Sequence, residues 1–380
     1  MAFFVDLVVL FILSGVAKAL YELWLRPLRV RRMMAQQGIR GPPPHFFYGN
    51  NREVAWMKKE AREKPMNNLS HAIFPTVMPH ITAWTAMYGK NYLNWHGVEA
   101  QLVISDPELI KEVLLNKEKV FHKAPATGFM KKILGDGLVT SEGDKWVSMR
   151  KLANHAFHNE CLKNMVPDMA SSARMMLERW KDYEGREIEV FKDLTILTSE
   201  AISRTAFGSS YMEGRIIFEM LTKLSMLAAK NAFRVQIPLI GIIWKTADQA
   251  EADRLEEGIR HAVMQVIMKR EEKVKAGDID GLGNDFLGML VEALHDTDKS
   301  KRITIDNIVD ECKTFYIAGQ ETTNTTLAWT MFLLAVHPDW QEKARKEVFD
   351  IFGNEDPNAD GIPRLRTVRN QFHYSFDAQI

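Results

Sequence analysis

Read for polarity alone, the chain opens on a run that is apolar almost throughout, "MAFFVDLVVLFILSGVAKALYELWL", broken by Asp6 and Lys18. A bilayer span takes roughly 20 apolar residues, and this run just reaches that length. Arg26, Arg29, Arg31 and Arg32 follow at once, and the positive-inside rule then leaves the rest of the chain on the cytosolic side. "AKA" at 17–19 has the small-x-small form of a signal-peptide cleavage site, but the basic n-region is missing and Lys18 sits inside it. The expectation is an uncleaved transmembrane anchor over residues 1–24.

The pattern then changes. Three prolines at 42–44 stiffen "GIRGPPPHF" into an extended rod, so 25–44 reads as a basic, Pro-rich segment, either a hinge that fixes orientation or an ordinary linker. "KNYLNWHGVEAQLVISDPELIKEVLLNK" predicts two short strands around "HGVE" and then a helix, with Asp106 as N-cap and Pro107 in its first turn. Past residue 140 the apolar spacing is helical nearly everywhere. "CLKNMVPDMASSARMMLERWKDYE" repeats Met and Leu at threes and fours, with Met as core filler. "ADRLEEGIRHAVMQVIMKREEKVKAG" is a long charged amphipathic helix. "PLIGIIW" at 238–244 is either a core segment or a loop dipping into a membrane surface.

The longest helix is predicted near the C-terminal end. Thr304 caps a start near Ile305, and Pro338 forces His337 out of helical geometry. About 32 residues remain, roughly 48 Å at 1.5 Å per residue, enough to cross a whole domain. The expected fold is mainly α with a small β-rich region: one helical domain over 45–365 and a divergent tail over 366–380.

Composition narrows the function classes. Lys+Arg and Asp+Glu are 49 each, so no net basic charge points to nucleic acid. Hydrophobic residues at 46% and charged ones at 26% argue against disorder. The two cysteines, Cys161 and Cys312, match no zinc spacing, and so few thiols suggest a reducing compartment.

Two segments carry candidate chemistry. In "FYIAGQETTNTTLAW", 315–329, an acid and four threonines interrupt an apolar helix. Ala318 and Thr322 share a face, Gly319 removes a side chain beside them, and the Thr322 hydroxyl competes for the carbonyl of residue 318 and loosens the turn. Glu321, expected buried beside that groove, is costly unless it manages a proton. A polar helix–helix contact is the bland alternative. In "GLVTSEGDKWVSMRKLANHAFH", Ser141-x-x-Asp144 is expected to open a helix by capping. Trp146 and Arg150 then stand four apart, an indole N–H and a guanidinium fork that can grip a carboxylate or phosphate. Arg150 packed across Trp146 as a cation–π pair is the alternative.

Both segments in this order, behind an anchor and a Pro hinge, resemble a microsomal cytochrome P450 of the plant clan that includes secologanin synthase. The second segment is similar to the C helix, "AGQETT" to the I-helix signature A/G-G-x-D/E-T-T/S, and "HPDWQEKARKEV" to the J helix. The resemblance implies a haem-dependent monooxygenase in the endoplasmic reticulum membrane, with its catalytic domain facing the cytosol. It would take electrons from NADPH-cytochrome P450 reductase and oxidise a small lipophilic substrate, terpenoid, hormone or fatty-acid-like. It places Trp146 and Arg150 on a haem propionate, Ala318 and Gly319 beside the distal haem face, and Glu321 and Thr322 as the acid–alcohol pair that delivers protons during oxygen activation.

The resemblance also implies a thiolate ligand from an F-x-x-G-x-x-x-C-x-G loop and a K-helix E-x-x-R. The chain contains no such loop. E-x-x-R occurs at Glu251/Arg254, Glu257/Arg260 and Glu342/Arg345, none in the K-helix position. No metal ligand is assigned, Cys161 and Cys312 are expected to be buried structural thiols, and the chain is expected to be an incomplete, inactive form of the enzyme. The alternative is a membrane-anchored, non-catalytic helical protein that binds a partner or an apolar ligand.

Overall fold

The computed structural model describes residues 2–65, 72–116, 120–233, 245–277, 281–298 and 302–368. "PLIGIIW" and the tail beyond 368 lie outside the described residues, as do the two readings offered for that apolar run. Two compact units emerge: one over Met1–Phe121, joined by the stretch that begins at Asn231, the other over His122–Lys230 and from Lys245 onward.

The first unit begins with helix α1, Ala2–Leu20, one π-helical turn, Tyr21–Leu25, and α2, Arg26–Gln36. Phe3, Leu10 and Phe11 of α1 are exposed. Among the described residues, no helix is long and apolar enough to cross a membrane. The span expected over 1–24 is thus matched only by an exposed apolar helix that carries Asp6 and Lys18.

The proline segment is pinned in place. Leu93 N donates to the Arg40 carbonyl at 3.0 Å, and Gly41 lies so close to Leu93 that an added Cβ would overlap its carbonyl. Asn50, fully buried, donates to Pro43 O at 3.1 Å and accepts from Trp95 N at 3.0 Å. Strands β1, Asn91–His96, and β2, Glu99–Ile104, are the two predicted around "HGVE"; they pair antiparallel with Asn91 opposite Ile104. Helices α3 (Asn51–Glu63), α4 (Phe74–Val77) and α5 (Pro79–Tyr88) pack beside them around Val54, Trp84 and Tyr92. Asp106 caps α6, Pro107–Leu115, by accepting from Leu109 N at 3.2 Å.

The second unit is helical: α7 (Gly128–Leu134), α8 (Gly143–Ala156), α9 (Asn159–Lys181), α10 (Val190–Phe207), α11 (Tyr211–Asn231), α12 (Ala247–Ala276), α13 (Phe286–Leu294), α14 (Ile305–Val336) and α15 (Pro338–Phe352). The spacing of four in Leu255, Ile259, Val263 and Ile267 puts one stripe of α12 into the core. Burial of each such side chain stabilises by roughly 1.5–3 kcal/mol. In α9 only part of the Met pattern is core, since Met165 and Met176 are buried while Met169 and Met175 face out.

Helix α14 organises this core. Its Thr304–Asn307 capping box and its stop before Pro338 give the 32 residues expected. Tyr316 stacks on Phe207 of α10, centroids 4.0 Å apart, and Phe315 stacks on Phe157 at the end of α8 at 5.3 Å. Burial is uneven, however. Residues from Ile308 to Tyr316 are mostly buried, whereas Trp329, Phe332 and Val336 are exposed, so the second half is not the core segment its apolarity suggested.

One buried ion pair ties three elements together. Arg270 of α12 donates to both carboxylate oxygens of Asp285 at 2.6 and 2.8 Å and to the Phe207 carbonyl at 2.6 Å. Asp285 in turn caps α13 through Gly288 N.

Candidate functional site

Helix α8 leaves Trp146 and Arg150 exposed at the edge of the stripe formed by Met149, Ala153 and Ala156, which are buried in the core. Ser141 does not open this helix as expected. Glu142 occupies the N-cap position without a side-chain cap, because its carboxylate is turned to Lys123 N and His122 instead. The Ser141 hydroxyl is buried without a partner. Trp146 does carry a cation, but it is Lys123, 5.7 Å from the ring centroid. Arg150 has no ion pair among the described residues, so its fork stays available.

On α14 the structure separates residues that the sequence grouped. Ala318, Glu321 and Thr322 are exposed. Glu321 was expected to be buried, but among the described residues nothing covers its side chain, which faces water. Thr322 Oγ1 donates to Ala318 O at 2.5 Å, and Thr326 and Thr330 repeat the pattern one and two turns on, each at 2.8 Å. The helix runs through this ladder unbroken, so the expected loosening is absent: the carbonyl accepts a second donor without giving up its helical one. Gly319 meets a different demand. A Cβ there would come within 2.6 Å of Cγ1 and Cδ1 of Ile202 on α10. Asn324, buried, donates to Thr195 of the same helix at 2.9 Å. The polar helix–helix contact weighed from sequence therefore exists, one turn beyond the glycine.

Sequence reasoning missed the polar cluster at Asp310, Glu311 and Lys313. Glu311 is 1% exposed. Burial pushes its carboxyl up to about 7, against the opposing pull of a hydrogen bond from Leu138 N. The signal was legible as "DECK", charges inside an apolar run, opposite the "GDG" turn at 135–137.

The cytochrome P450 profile matches residues 75–372, most of the chain. The chain belongs to the cytochrome P450 family. Its members are haem monooxygenases, and the relatives described next are plant proteins. The chain is 50% identical to cytochrome P450 CYP749A22 of Panax ginseng, over 94% of this chain and 68% of that one. It is 37% identical to cytochrome P450 734A1 of Arabidopsis thaliana, over 93% of this chain and 68% of that relative. It is 40% identical to 11-oxo-beta-amyrin 30-oxidase of Glycyrrhiza uralensis, over 91% of this chain and 67% of the relative. A crystal structure of the cytochrome P450DA heme domain superposes with a TM-score of 0.66 at 23% identity, covering 89% of this chain and 69% of that one, which supports the P450 fold.

The P450 cofactor is haem, and each of the two segments by itself has chemistry that suits part of its site. An uncommitted guanidinium beside an indole suits a propionate, and the exposed Ala318–Thr322 turn offers small side chains with an acid and a hydroxyl. The described cysteines do not fit as its thiolate. Cys312 is buried within α14, and burial raises its thiol pKa, opposing the thiolate. Cys161 is half-buried, not fully buried as expected, and its thiol turns to the His155 carbonyl at 3.7 Å. Among the described residues no cluster of three or more His, Cys, Asp or Glu could hold a metal ion. The E-x-x-R pairs lie on α12 and α15, where Arg254 and Arg345 form exposed ion pairs with Glu251 and Glu342 and Arg260 pairs with Asp306 instead.

Proposed function

We propose that the chain forms the distal, haem-facing part of a membrane-associated cytochrome P450 monooxygenase acting on a small lipophilic substrate. The observation that carries this reading is the exposed acid–hydroxyl turn, Ala318 to Thr322, directly after the core-forming half of α14. In this reading Trp146 and Arg150 hold a haem carboxylate, and Ala318 lines the distal side, while Gly319 lets α10 pack close behind it. Glu321 and Thr322 hold and pass protons there, a role suited to a hydrated acid beside a hydroxyl already anchored to a carbonyl. Haem, when bound, supplies the oxidative chemistry. A terpenoid-like skeleton is the favoured substrate class, supported by the name of the Glycyrrhiza relative; reductase supplies electrons from the cytosolic side. Residues 1–24 anchor the protein in the endoplasmic reticulum membrane, 25–44 act as the pinned hinge, and 45–365 form the P450 domain.

Because neither described cysteine is presented as a ligand, haem held by this 380-residue chain lacks a thiolate, and the chain alone does not turn over. That same observation favours the second reading, a non-catalytic binder of an apolar ligand. Titration of ferric haem into the chain, followed by tryptophan quenching, separates the two. Saturable binding weakened about tenfold by Arg150→Gln, roughly the loss of one charge-assisted contact, is expected. Equal binding by wild type and variant would sink the assignment of Arg150. A red-shifted Soret band in the reduced, CO-bound form would overturn the absence of a thiolate.

A further inference from the structure

The start of α8 is not held by its own residues. Its N-cap position makes no side-chain cap, and the turn before it, 135–141, is fastened from α14. Asp310 Oδ2 accepts from Asp136 N at 2.8 Å. Glu311 Oε1 accepts from Leu138 N at 2.7 Å, while its Oε2 is buried without a partner. Lys313, itself buried, pairs with Asp310 at 2.8 Å and donates to the Lys132 carbonyl at 3.1 Å. Gly135, at φ +59°, and Gly137 leave room for this approach: a Cβ on Gly135 would run into the Asp310 carboxylate, and one on Gly137 would lie 3.2 Å from Glu311 Oε1. Thr140 Oγ1 to Gly135 O, 3.0 Å, and Ser141 N to Gly137 O, 2.9 Å, close the turn.

We propose that Glu311 is a positioning residue: its carboxyl sets the 136–141 turn, and through it the placement of the Trp146–Arg150 face of α8, in a way that depends on its protonation. The link to a haem carboxylate rests on the function proposed above; the control of the turn does not. An ionised carboxylate accepts a stronger bond from Leu138 N than a neutral one, but burial costs the charge more than that bond returns, so ionisation loosens the turn that covers Glu311. The groups facing Glu311 are Asp310 and Lys313 on α14, Asp136 in the turn, Lys145 on α8, which pairs with Asp136 at 2.6 Å, and Lys132 on α7, which is held by Asp253 and Glu256 of α12. His122 lies 3.2 Å from Glu142 at the start of α8 and is removed in the test.

The test uses the 380-residue chain without haem, in a His122→Gln background. Amide exchange of Leu138, corrected for intrinsic base catalysis, and Trp146 emission are followed from pH 5.5 to 8.5. The expected result is a fall of about five- to tenfold in Leu138 protection as pH rises and a Trp146 shift with the same midpoint, both absent in Glu311→Gln. A pH course common to wild type and Glu311→Gln, or a Trp146 signal that ignores the Leu138 transition, overturns the proposal. Haem affinity measured alongside separates the two readings: Leu138 and Trp146 responding without a change in haem binding refutes the propionate role and leaves the positioning role standing.

Discussion

Gly319→Ala should destabilise this protein, although the same change in an ordinary helix stabilises it. Alanine gains about 1 kcal/mol of helix propensity over glycine. Here the new Cβ would lie 2.6 Å from both Cγ1 and Cδ1 of Ile202 and 3.1 Å from its Cβ. The far end of Ile202 can rotate, but its Cβ moves only with the α10 backbone, and forced overpacking of this kind costs roughly 1–3 kcal/mol. The net expectation is a loss of about 1 kcal/mol, or about 2–4 °C in Tm for a unit of this size. Ile202→Ala removes both offending atoms. In that background Gly319→Ala should regain its propensity and stabilise by about 1 kcal/mol, giving a coupling of about 2 kcal/mol in the double-mutant cycle. Thermal and urea melts of the four proteins measure it. If Gly319→Ala stabilises the wild type by its propensity alone, the close approach of α10 and α14 is not what the glycine serves.

Glu311 imposes a pH dependence of definite sign. Its folded-state pKa, about 7, lies above the ordinary carboxyl value of 4.5, so the native state binds more protons between those limits. The resulting stability is fully present below about pH 4.5 and lost as pH rises through 7, about 3 kcal/mol at most; the difference between wild type and Glu311→Gln in urea midpoints across pH 5–8 should trace it, and a constant difference would contradict it. Arg270→Ala strands Asp285 and the Phe207 carbonyl in a buried setting and should cost about 3–5 kcal/mol, read as a lowered denaturation midpoint; a loss under 1 kcal/mol would show the pair to be solvated. The exposed Trp329, Phe332 and Val336 on α14 should drive self-association, and Trp329→Lys with Phe332→Glu should reduce light scattering in mild detergent, with unchanged scattering counting against this face.

What the sequence determined by itself was local. Thr304, Asp106 and Pro338 bound their helices through hydrogen bonds and clashes within a few residues, so the ends of α14 and the start of α6 were legible, as was the β1–β2 hairpin around "HGVE". The family, too, was legible, because its C-helix and I-helix segments combine residue types that helix propensity alone does not favour. Tertiary structure decided what those residues face. Glu321 and Glu311 are acids in the same helix, yet one is hydrated and the other buried against the 135–141 turn, and nothing within a turn of either distinguishes them. Ser141 had the form of a cap, but Glu142 took that position and gave its carboxylate to Lys123. Gly319 reads as a gap for a ligand until Ile202 arrives from α10. In each case the outcome depends on a contact between residues far apart in the chain, and the free energy that settles it, desolvation for Glu311 and steric overlap for Gly319, exists only once the helices are packed.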